Sequence, residues 1–187
     1  MTTVLAIEGP DYVGKTTLAR RLLILLNDRN IPTRVHSHAP PPAGAGPWRT
    51  ALHFACERAR IAEEIAADAV TQVHIIDRWF TSAGVRMNAM LEMRRRHGTA
   101  VPDESACEQL HGAEIDALPH VEMVILDAPD AVLDARAAMR GEVRTELERA
   151  EARIYRHVLR SLPGRRIDAS GTLDDTAAAV LRAVGLR

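Results

Sequence analysis

An octapeptide close to the amino terminus limits the possible folds of this chain. Residues 9–16 read Gly-Pro-Asp-Tyr-Val-Gly-Lys-Thr and match the pattern GxxxxGK[ST]. They follow an apolar segment, Val4–Ile7, that is typical of a buried strand, and they precede a leucine-rich helical pattern that starts at Thr17. In this context the glycines let backbone N–H groups converge on phosphate oxygens, and the next helix adds its positive amino-terminal end. The sequence therefore predicts a phosphate-binding loop between the first strand and the first helix.

The lysine of this pattern is the only lysine among the 24 basic side chains of the chain. A wide planar guanidinium cannot replace a compact ammonium that lies along a tight loop, which explains why Lys15 alone is not arginine. Lys15 is predicted to reach the β- and γ-phosphates of ATP, and the Thr16 hydroxyl is predicted to bind Mg²⁺. The predicted ATP-binding residues of this segment are Gly9, Pro10, Asp11, Tyr12, Val13, Gly14, Lys15, Thr16 and Thr17.

Apolar runs alternate with helical patterns along all 187 residues, which is typical of βαβ units and a parallel sheet. The predicted strands are Val4–Ile7, Thr33–His36, Val73–Ile76, Val121–Leu126 and Arg166–Asp168. The predicted helices are Thr17–Asp28, Trp48–Thr71, Trp79–Arg96, Ser105–Ala117, Asp130–Arg140, Glu146–Ser161 and Leu173–Val184. We therefore expect one α/β domain over residues 1–187, with a doubly wound parallel sheet of about five strands flanked by helices.

Charge and hydropathy exclude several classes of protein. The 24 basic and 25 acidic side chains nearly cancel, and the only basic run is Arg94–Arg96, so we expect no nucleic-acid polymer as a partner. No apolar stretch reaches the roughly 18 residues that a membrane helix needs, so we expect a soluble, cytoplasmic protein without a membrane partner.

Cys56 and Cys107 are far apart and are expected to be reduced thiols.

Two further segments are interpreted as surface. Residues 39–47 are too rich in proline and glycine for a helix or an inner strand, so a surface loop is predicted. Met87, Met90 and Met93 recur at three-residue spacing on the third predicted helix. We interpret this stripe as a packing surface at a subunit contact and expect a homodimer.

Together with the octapeptide, three segments resemble the thymidylate kinase family of P-loop nucleoside monophosphate kinases. Ile7–Asp11 resembles its EGxD opening, Leu52–Ala59 resembles its LLFAADRA helix, and Ile75–Trp79 followed by Ser82 resembles its DRYxxS element. The resemblance covers most of the chain. It implies a nucleoside-monophosphate-kinase fold with a short helical lid at residues 136–149, ATP as donor, a nucleoside monophosphate as acceptor, and Mg²⁺ as cofactor.

The resemblance also implies roles for individual residues on the acceptor side. Phe54 would stack on the acceptor base and Arg58 would reach its edge, Arg78 would clamp the acceptor phosphate, and Asp11 would help to position the acceptor. Asp77, at the carboxyl end of a strand, is placed to hold the hydrated magnesium ion. The acceptor-binding set is Phe54, Arg58, Arg78, Ser82 and Arg86, and the catalytic set is Lys15, Asp11, Arg78 and Arg140. The alternatives are that Phe54 is a core residue and that Asp77 caps the next helix.

The carboxyl-terminal third matches the family more loosely. Leu126–Pro129, followed by Arg136 and Arg140–Glu142, resembles the run into the lid, so the candidate lid arginines are Arg136, Arg140 and Arg144. Any of them is alternatively a solvated helix charge. Ile167–Gly171 resembles the loop that packs against adenine, which adds Arg136, Ala169 and Ser170 to the ATP-binding set.

Two departures from the family pattern lie on the acceptor side. The Arg-Glu-Pro-Gly-Gly motif after the second strand is replaced by His36-Ser37-His38 and the proline-rich loop. Arg86 stands where the family has an aromatic beneath the deoxyribose, so we expect an acceptor other than plain thymidylate, with an extra hydroxyl or anionic substituent. In the alternative, Arg86 turns outward and Met87 fills the sugar floor.

A second functional hypothesis is a catalytically degenerate protein of the same fold that binds nucleotide as a sensor or scaffold. Lys15, Asp77, Arg78 and Arg58 are all present in this chain, whereas a pure binder could lose the last two. The sequence therefore favours an enzyme.

Overall fold

The computed structural model describes residues 2–98, 120–158 and 164–186. This part of the chain forms β1 (Thr3–Glu8), α1 (Lys15–Asn27), β2 (Thr33–Ser37), α2 (Pro47–Ala67), β3 (Val73–Asp77), α3 (Phe80–His97), β4 (Val121–Asp127), α4 (Asp130–Ala138), α5 (Glu146–Val158), β5 (Arg165–Asp168) and α6 (Leu173–Ala183). The helix predicted at Ser105–Ala117, which includes Cys107, lies outside the described residues. Cys56 is a free thiol on the surface of α2.

The five strands form one parallel sheet in the order β2-β3-β1-β4-β5. The sequence predicted all five strands and their parallel arrangement. The chain runs from β1 to one side of the sheet and later returns to the other side, so the order reverses at β1. Ile7 of β1 pairs with Asp77 of β3, and Glu8 pairs with Ile125 of β4. The segments after β1 and β3 therefore leave the same edge of the sheet side by side, where parallel sheets bind their ligands.

Helices cover both faces of the sheet, and the side chains of β1 show how. Leu5 and Ile7 belong to one buried cluster with the leucines of α1 and with Val180 of α6. Ala6 points to the opposite face and packs with Ile61 of α2. Because both faces are covered, the inner strands are mostly apolar, as the sequence pattern indicated.

α2 ends four residues and α4 two residues earlier than predicted, because local hydrogen bonds compete with the helix. After α2, the Asp68 carboxylate accepts from the N–H groups of Val70 (2.9 Å) and Thr71 (3.0 Å), and the resulting turn stops the helix at Ala67. After α4, the Arg140 N–H donates to a carbonyl only three residues earlier (2.9 Å), which closes a turn.

Within the residues that the structure describes, no helix is both long and apolar enough to cross a membrane.

Candidate functional site

The phosphate-binding loop has backbone angles that explain its glycines. Gly9 has φ 140°, and a Cβ added there would lie 2.5 Å from the Leu126 carbonyl oxygen of β4. Gly14, with φ 103°, precedes the first residue of α1. Tyr12 also has a positive φ of 64°, which non-glycine residues rarely adopt. The loop is thus a tight, locally strained turn packed against β4.

The side chain of Lys15 is folded back inside this loop. Its Nζ donates to the carbonyl oxygens of Gly9 (2.8 Å) and Pro10 (2.6 Å) and lies 3.9 Å from Asp11 Oδ1. Burial, supported by the positive charge of Arg78, lowers the pKa of the ammonium to about 7, although nearby carboxylates oppose the shift. The buried ammonium thus donates to two backbone carbonyls and has one more distant carboxylate beside it. Phosphate oxygens could replace these carbonyls as its acceptors.

Thr16 and Asp77 meet where α1 begins and β3 ends. The Thr16 hydroxyl donates to Asp77 Oδ2 at 2.5 Å, while Asp77 Oδ1 is buried and has no hydrogen-bond partner. A buried carboxylate oxygen without a partner beside a hydroxyl fits a magnesium ion, which proteins hold through one or two carboxylates together with nucleotide phosphates. Nowhere in the described ranges do three or more His, Cys, Asp or Glu side chains form a metal cluster by themselves.

A cavity of about 770 Å³ opens beside the loop. Its wall is formed by the segment after β2, by α2, by the start of α3 and by α5. It contains the complete predicted acceptor-binding set, namely Phe54, Arg58, Arg78, Ser82 and Arg86. Asp11 and Asp77 also line it, so the cavity meets the phosphate-binding loop directly. Residues that the sequence places on separate elements are thus brought to one space.

Arg78 and Asp11 form an ion pair at the end of the cavity next to the loop. Arg78 has φ 74°, which is uncommon for a residue with a side chain, and its N–H donates to the Ile7 carbonyl at 3.1 Å. Burial alone would lower the pKa of the guanidinium, but the Asp11 carboxylate raises it. Although burial raises the Asp11 pKa, the charges of Arg78 and Lys15 hold it below its usual value. Both groups are therefore charged and face the cavity.

Phe54 lies at the other end of the cavity. It is half-buried, and its ring contacts those of His38 (centroids 5.9 Å apart) and His53 (5.5 Å) at steep angles. Phe54 is therefore part of the cavity wall, and the alternative of an ordinary core residue is wrong. Arg58, one helical turn later, is buried behind it. Burial and the nearby Arg58 charge lower the pKa of His38 to about 4, so this ring is neutral.

Glu8 has a structural role that the sequence analysis missed. This fully buried carboxylate accepts through Oε1 from the N–H groups of Trp79 (2.9 Å) and Ser82 (3.2 Å), and through Oε2 from the hydroxyls of Ser82 and Tyr155. It thereby satisfies the amino terminus of α3. Because Glu8 does so, and Asp77 bonds Thr16 instead, the alternative that Asp77 caps α3 is wrong. The available signal was a charged residue inside an apolar strand, which requires partners.

Arg86 is turned toward α5 along the cavity wall and makes a second ion pair. Its Nη1 donates to Glu151 Oε1 at 2.5 Å, and the Glu151 side chain is 5% exposed. Burial raises the pKa of this carboxyl, and the Arg86 charge opposes the shift. Arg86 lines the cavity while its side chain is 48% exposed, and Met87 lines the cavity as well, so the alternative with Met87 in the sugar floor stays open. No sequence signal pointed to Glu151, since it comes from a helix 65 positions later.

The methionine stripe of α3 is predicted to face another subunit, and two of its three members make contacts within their own chain. Met87 is buried, and both Met87 and Met90 line the cavity of their own chain. The homodimer therefore stays a prediction without support from this stripe.

Two of the candidate lid arginines make internal contacts. Arg136 donates to the carbonyls of Val13 (2.9 Å) and Ala169 (2.7 Å), so it ties the phosphate-binding loop to the segment after β5. Arg144 is fully buried and pairs with Asp130 (2.9 Å) and with a second aspartate of α4. In this conformation Arg144 stabilises the turn between α4 and α5 and is not a solvated charge.

Arg140 is exposed at the tip of the α4–α5 turn. Its guanidinium carbon lies 5.8 Å from the centre of the Tyr12 ring, a cation–π distance above the phosphate-binding loop. Next to Arg136, Ala169 is buried and Ser170 is exposed. Arg136 and Arg140 therefore both contact the phosphate-binding loop, and Arg136 also contacts Ala169, the neighbour of Ser170. The residues that line the cavity do not include these four.

Comparison with known proteins gives a likeness of fold. No protein-family profile matches the sequence, and no curated protein matches it. The YorR protein from Bacillus subtilis, whose structure was determined in complex with phosphorylated GDP, superposes with a TM-score of 0.61 at 19% sequence identity. The match covers 98% of this chain and 96% of YorR. The predicted fold class is confirmed. Because 363 solved chains match, the fold by itself leaves the substrate open.

Proposed function

We propose that this chain is a phosphotransferase that moves the γ-phosphoryl group of ATP to a nucleoside monophosphate in the cavity. One observation carries the proposal: a cavity of nucleotide size, lined by arginines and an aromatic ring, meets a GxxxxGKT loop at Asp11 and Asp77. A donor and an acceptor phosphate would then face each other across these two carboxylates.

On the donor side, the triphosphate lies along the loop backbone and the amino terminus of α1. Lys15 exchanges its contacts with loop carbonyls for phosphate oxygens. Arg136 holds the adenine-side segment, Ala169 and Ser170, at a fixed distance from the loop through its two carbonyl contacts.

On the acceptor side, Arg78 clamps the phosphate, because a guanidinium matches the geometry of two phosphate oxygens. The ion pair with Asp11 holds the Arg78 guanidinium in position before the acceptor binds. The base lies against Phe54, near His38 and Arg58, which line the same part of the cavity wall.

Catalysis in this proposal depends on position and charge. An acceptor phosphate oxygen attacks the γ-phosphorus, the bond to the β,γ-bridging oxygen breaks, and ADP leaves with that electron pair. The attacking oxygen is already anionic, so no general base is needed. Lys15, Arg78 and the exposed guanidinium of Arg140 share the negative charge of the transferring group. When bound by Thr16 and Asp77, Mg²⁺ would neutralise the β- and γ-phosphate charge.

The likeness to YorR supports nucleotide chemistry, since that structure holds phosphorylated GDP. The departures at His36–His38 and Arg86 favour an acceptor other than plain thymidylate, such as another or a modified pyrimidine nucleotide.

The direct test is steady-state ADP release from ATP and Mg²⁺ against a panel of nucleoside monophosphates. We expect one or a few monophosphates to stimulate release and thymidylate not to be the best of them. Arg78→Ala should raise the acceptor KM and lower kcat while it leaves the ATP KM unchanged, because the clamp acts on the acceptor phosphate. ATP binding without turnover on any member of the panel would favour the sensor or scaffold hypothesis instead.

A further inference from the structure

The ion pair between Arg86 and Glu151 stands in the cavity wall at a defined distance from the phosphate end. Ser82, Arg86 and Met90 are spaced by four residues on α3, so they form one row along the cavity. Ser82 is anchored next to the Asp11–Arg78 end through Glu8. A helix rises about 6 Å over four residues, so the backbone of Arg86 lies roughly that far along α3 beyond the backbone of Ser82. In a nucleotide, the sugar occupies this distance between the phosphate and the base.

The pair is electrically balanced, which limits what it can bind. An anionic substituent that approached Arg86 would also meet the Glu151 carboxylate, and a cationic one would meet the guanidinium. A hydroxyl suits both groups, because it can donate to the carboxylate and accept from the guanidinium. Arg86 uses Nη1 for the Glu151 contact, and an arginine has five N–H donors in total.

The two charged groups lie side by side, with 2.5 Å between Nη1 and Oε1. Hydroxyls on adjacent carbons present oxygens at a similarly short separation. One hydroxyl can then donate to Glu151 while its neighbour accepts from Arg86. Ribose carries such a pair of neighbouring hydroxyls, and deoxyribose does not.

Resting on the proposed function, we infer that Arg86 and Glu151 form a subsite for the two neighbouring hydroxyls of a ribose, so that the enzyme selects ribonucleoside over deoxyribonucleoside monophosphates. Glu151 is thus a specificity-determining residue. The sequence predicts either an extra hydroxyl or an anionic substituent of the acceptor near Arg86. Because the Glu151 carboxylate would repel an anion, the ion pair favours the hydroxyl.

The experiment compares kcat/KM for three acceptors with the same base: the ribonucleoside, the 2′-deoxy and the 3′-deoxy monophosphate. The wild-type protein should prefer the ribose form over each deoxy form by about 10- to 100-fold, as expected for hydrogen bonds to charged groups. In Glu151→Gln both ratios should fall by about 10-fold, chiefly through a higher KM for the ribose form.

The chain offers a matched control. Arg153 of α5 donates to Glu92 of α3 at 2.9 Å, and neither residue lines the cavity. Glu92→Gln therefore removes an ion pair between the same two helices, together with the pair of Glu92 with Arg96 within α3 (2.7 Å), and should leave both ratios unchanged. Arg86→Gln tests the other half of the subsite at a half-exposed position, should Glu151→Gln fail to fold.

The outcomes separate this inference from the proposed function. If monophosphates are phosphorylated but the ratios are equal in wild type and in both subsite variants, only the inference is overturned. If no monophosphate is phosphorylated, the proposed function fails, and equilibrium binding of the same three nucleotides decides the inference. A ribose preference in binding that Glu151→Gln removes supports it, and its absence overturns it.

Discussion

The geometry around Lys15 explains why this position holds a lysine and not an arginine. Its ammonium is enclosed by the loop and held by two carbonyl groups of that loop. Arginine at this position would have to place a planar, wider group in the same space. The solitude of Lys15 among 24 basic residues therefore has a steric cause.

Both Lys15→Ala and Lys15→Arg should lower kcat/KM for ATP by about 100-fold or more, the scale of losing one preorganised donor to a transferring group. Steady-state kinetics measures this loss, and circular dichroism checks that the fold persists. Arg20→Lys, an exchange at an exposed position of α1, is the control and should be neutral. Near wild-type turnover in Lys15→Arg would contradict the steric argument.

At the scale of elements, Glu8 fixes the start of α3 and with it the residues that line the cavity. Glu8→Gln keeps the shape of the side chain but replaces the carboxylate by a neutral amide, which accepts more weakly from the N–H groups of Trp79 and Ser82 and must donate to the hydroxyls that now donate to Glu8. We expect the free energy of unfolding to fall by about 1–3 kcal/mol. We also expect the acceptor KM to rise, because Arg78 and Ser82 lose their fixed positions.

Urea unfolding and acceptor kinetics measure the two effects. Asp68→Ala is a suitable comparison, because Asp68 holds the turn after α2 and does not line the cavity. It should lower stability without changing the acceptor KM. If Glu8→Gln lost stability and left the acceptor KM unchanged, the cap would be structural alone.

At the scale of the whole molecule, a buried histidine pair couples stability to pH. His36 Nε2 and His74 Nδ1 lie 3.0 Å apart between β2 and β3. For both rings burial lowers the pKa, and the Arg34 charge acts in the same direction, while Glu64 opposes it for His36 and Asp68 for His74. The unfolded chain therefore binds more protons than the folded one between the ordinary histidine pKa of 6.5 and the lowered folded values.

The free energy of unfolding should thus be highest above the unfolded pKa and fall as the pH drops below it. Urea unfolding between about pH 7.5 and about pH 5.5 measures this slope. His36→Asn should reduce the slope without removing it, because His38, whose pKa burial lowers to about 4, contributes as well. The same change at the exposed His97 should leave the slope unchanged. An unchanged slope in His36→Asn would show that the pair does not control acid stability.

The sequence by itself determined the parts whose cause is local. The phosphate-binding loop is specified by glycine angles and one lysine within eight residues, and the parallel sheet is specified by apolar runs that alternate with helical periods. Of the predicted acceptor residues, Arg78 follows a strand at the edge of the sheet where parallel sheets bind ligands. The other four reach the same cavity because α2 and α3 pack beside that edge.

Only the tertiary structure decided which side chains meet across the chain. Glu8 caps a helix 71 positions away, and Glu151 pairs with Arg86 over 65 positions. In the sequence Arg136 and Arg144 are equivalent candidates. In the structure Arg136 donates to a carbonyl of the phosphate-binding loop, whereas Arg144 forms a buried ion pair with Asp130. Such contacts depend on how packed helices place long side chains. The spacing of apolar residues, every 2.0 residues in strands and every 3.6 in helices, carries no information about that placement.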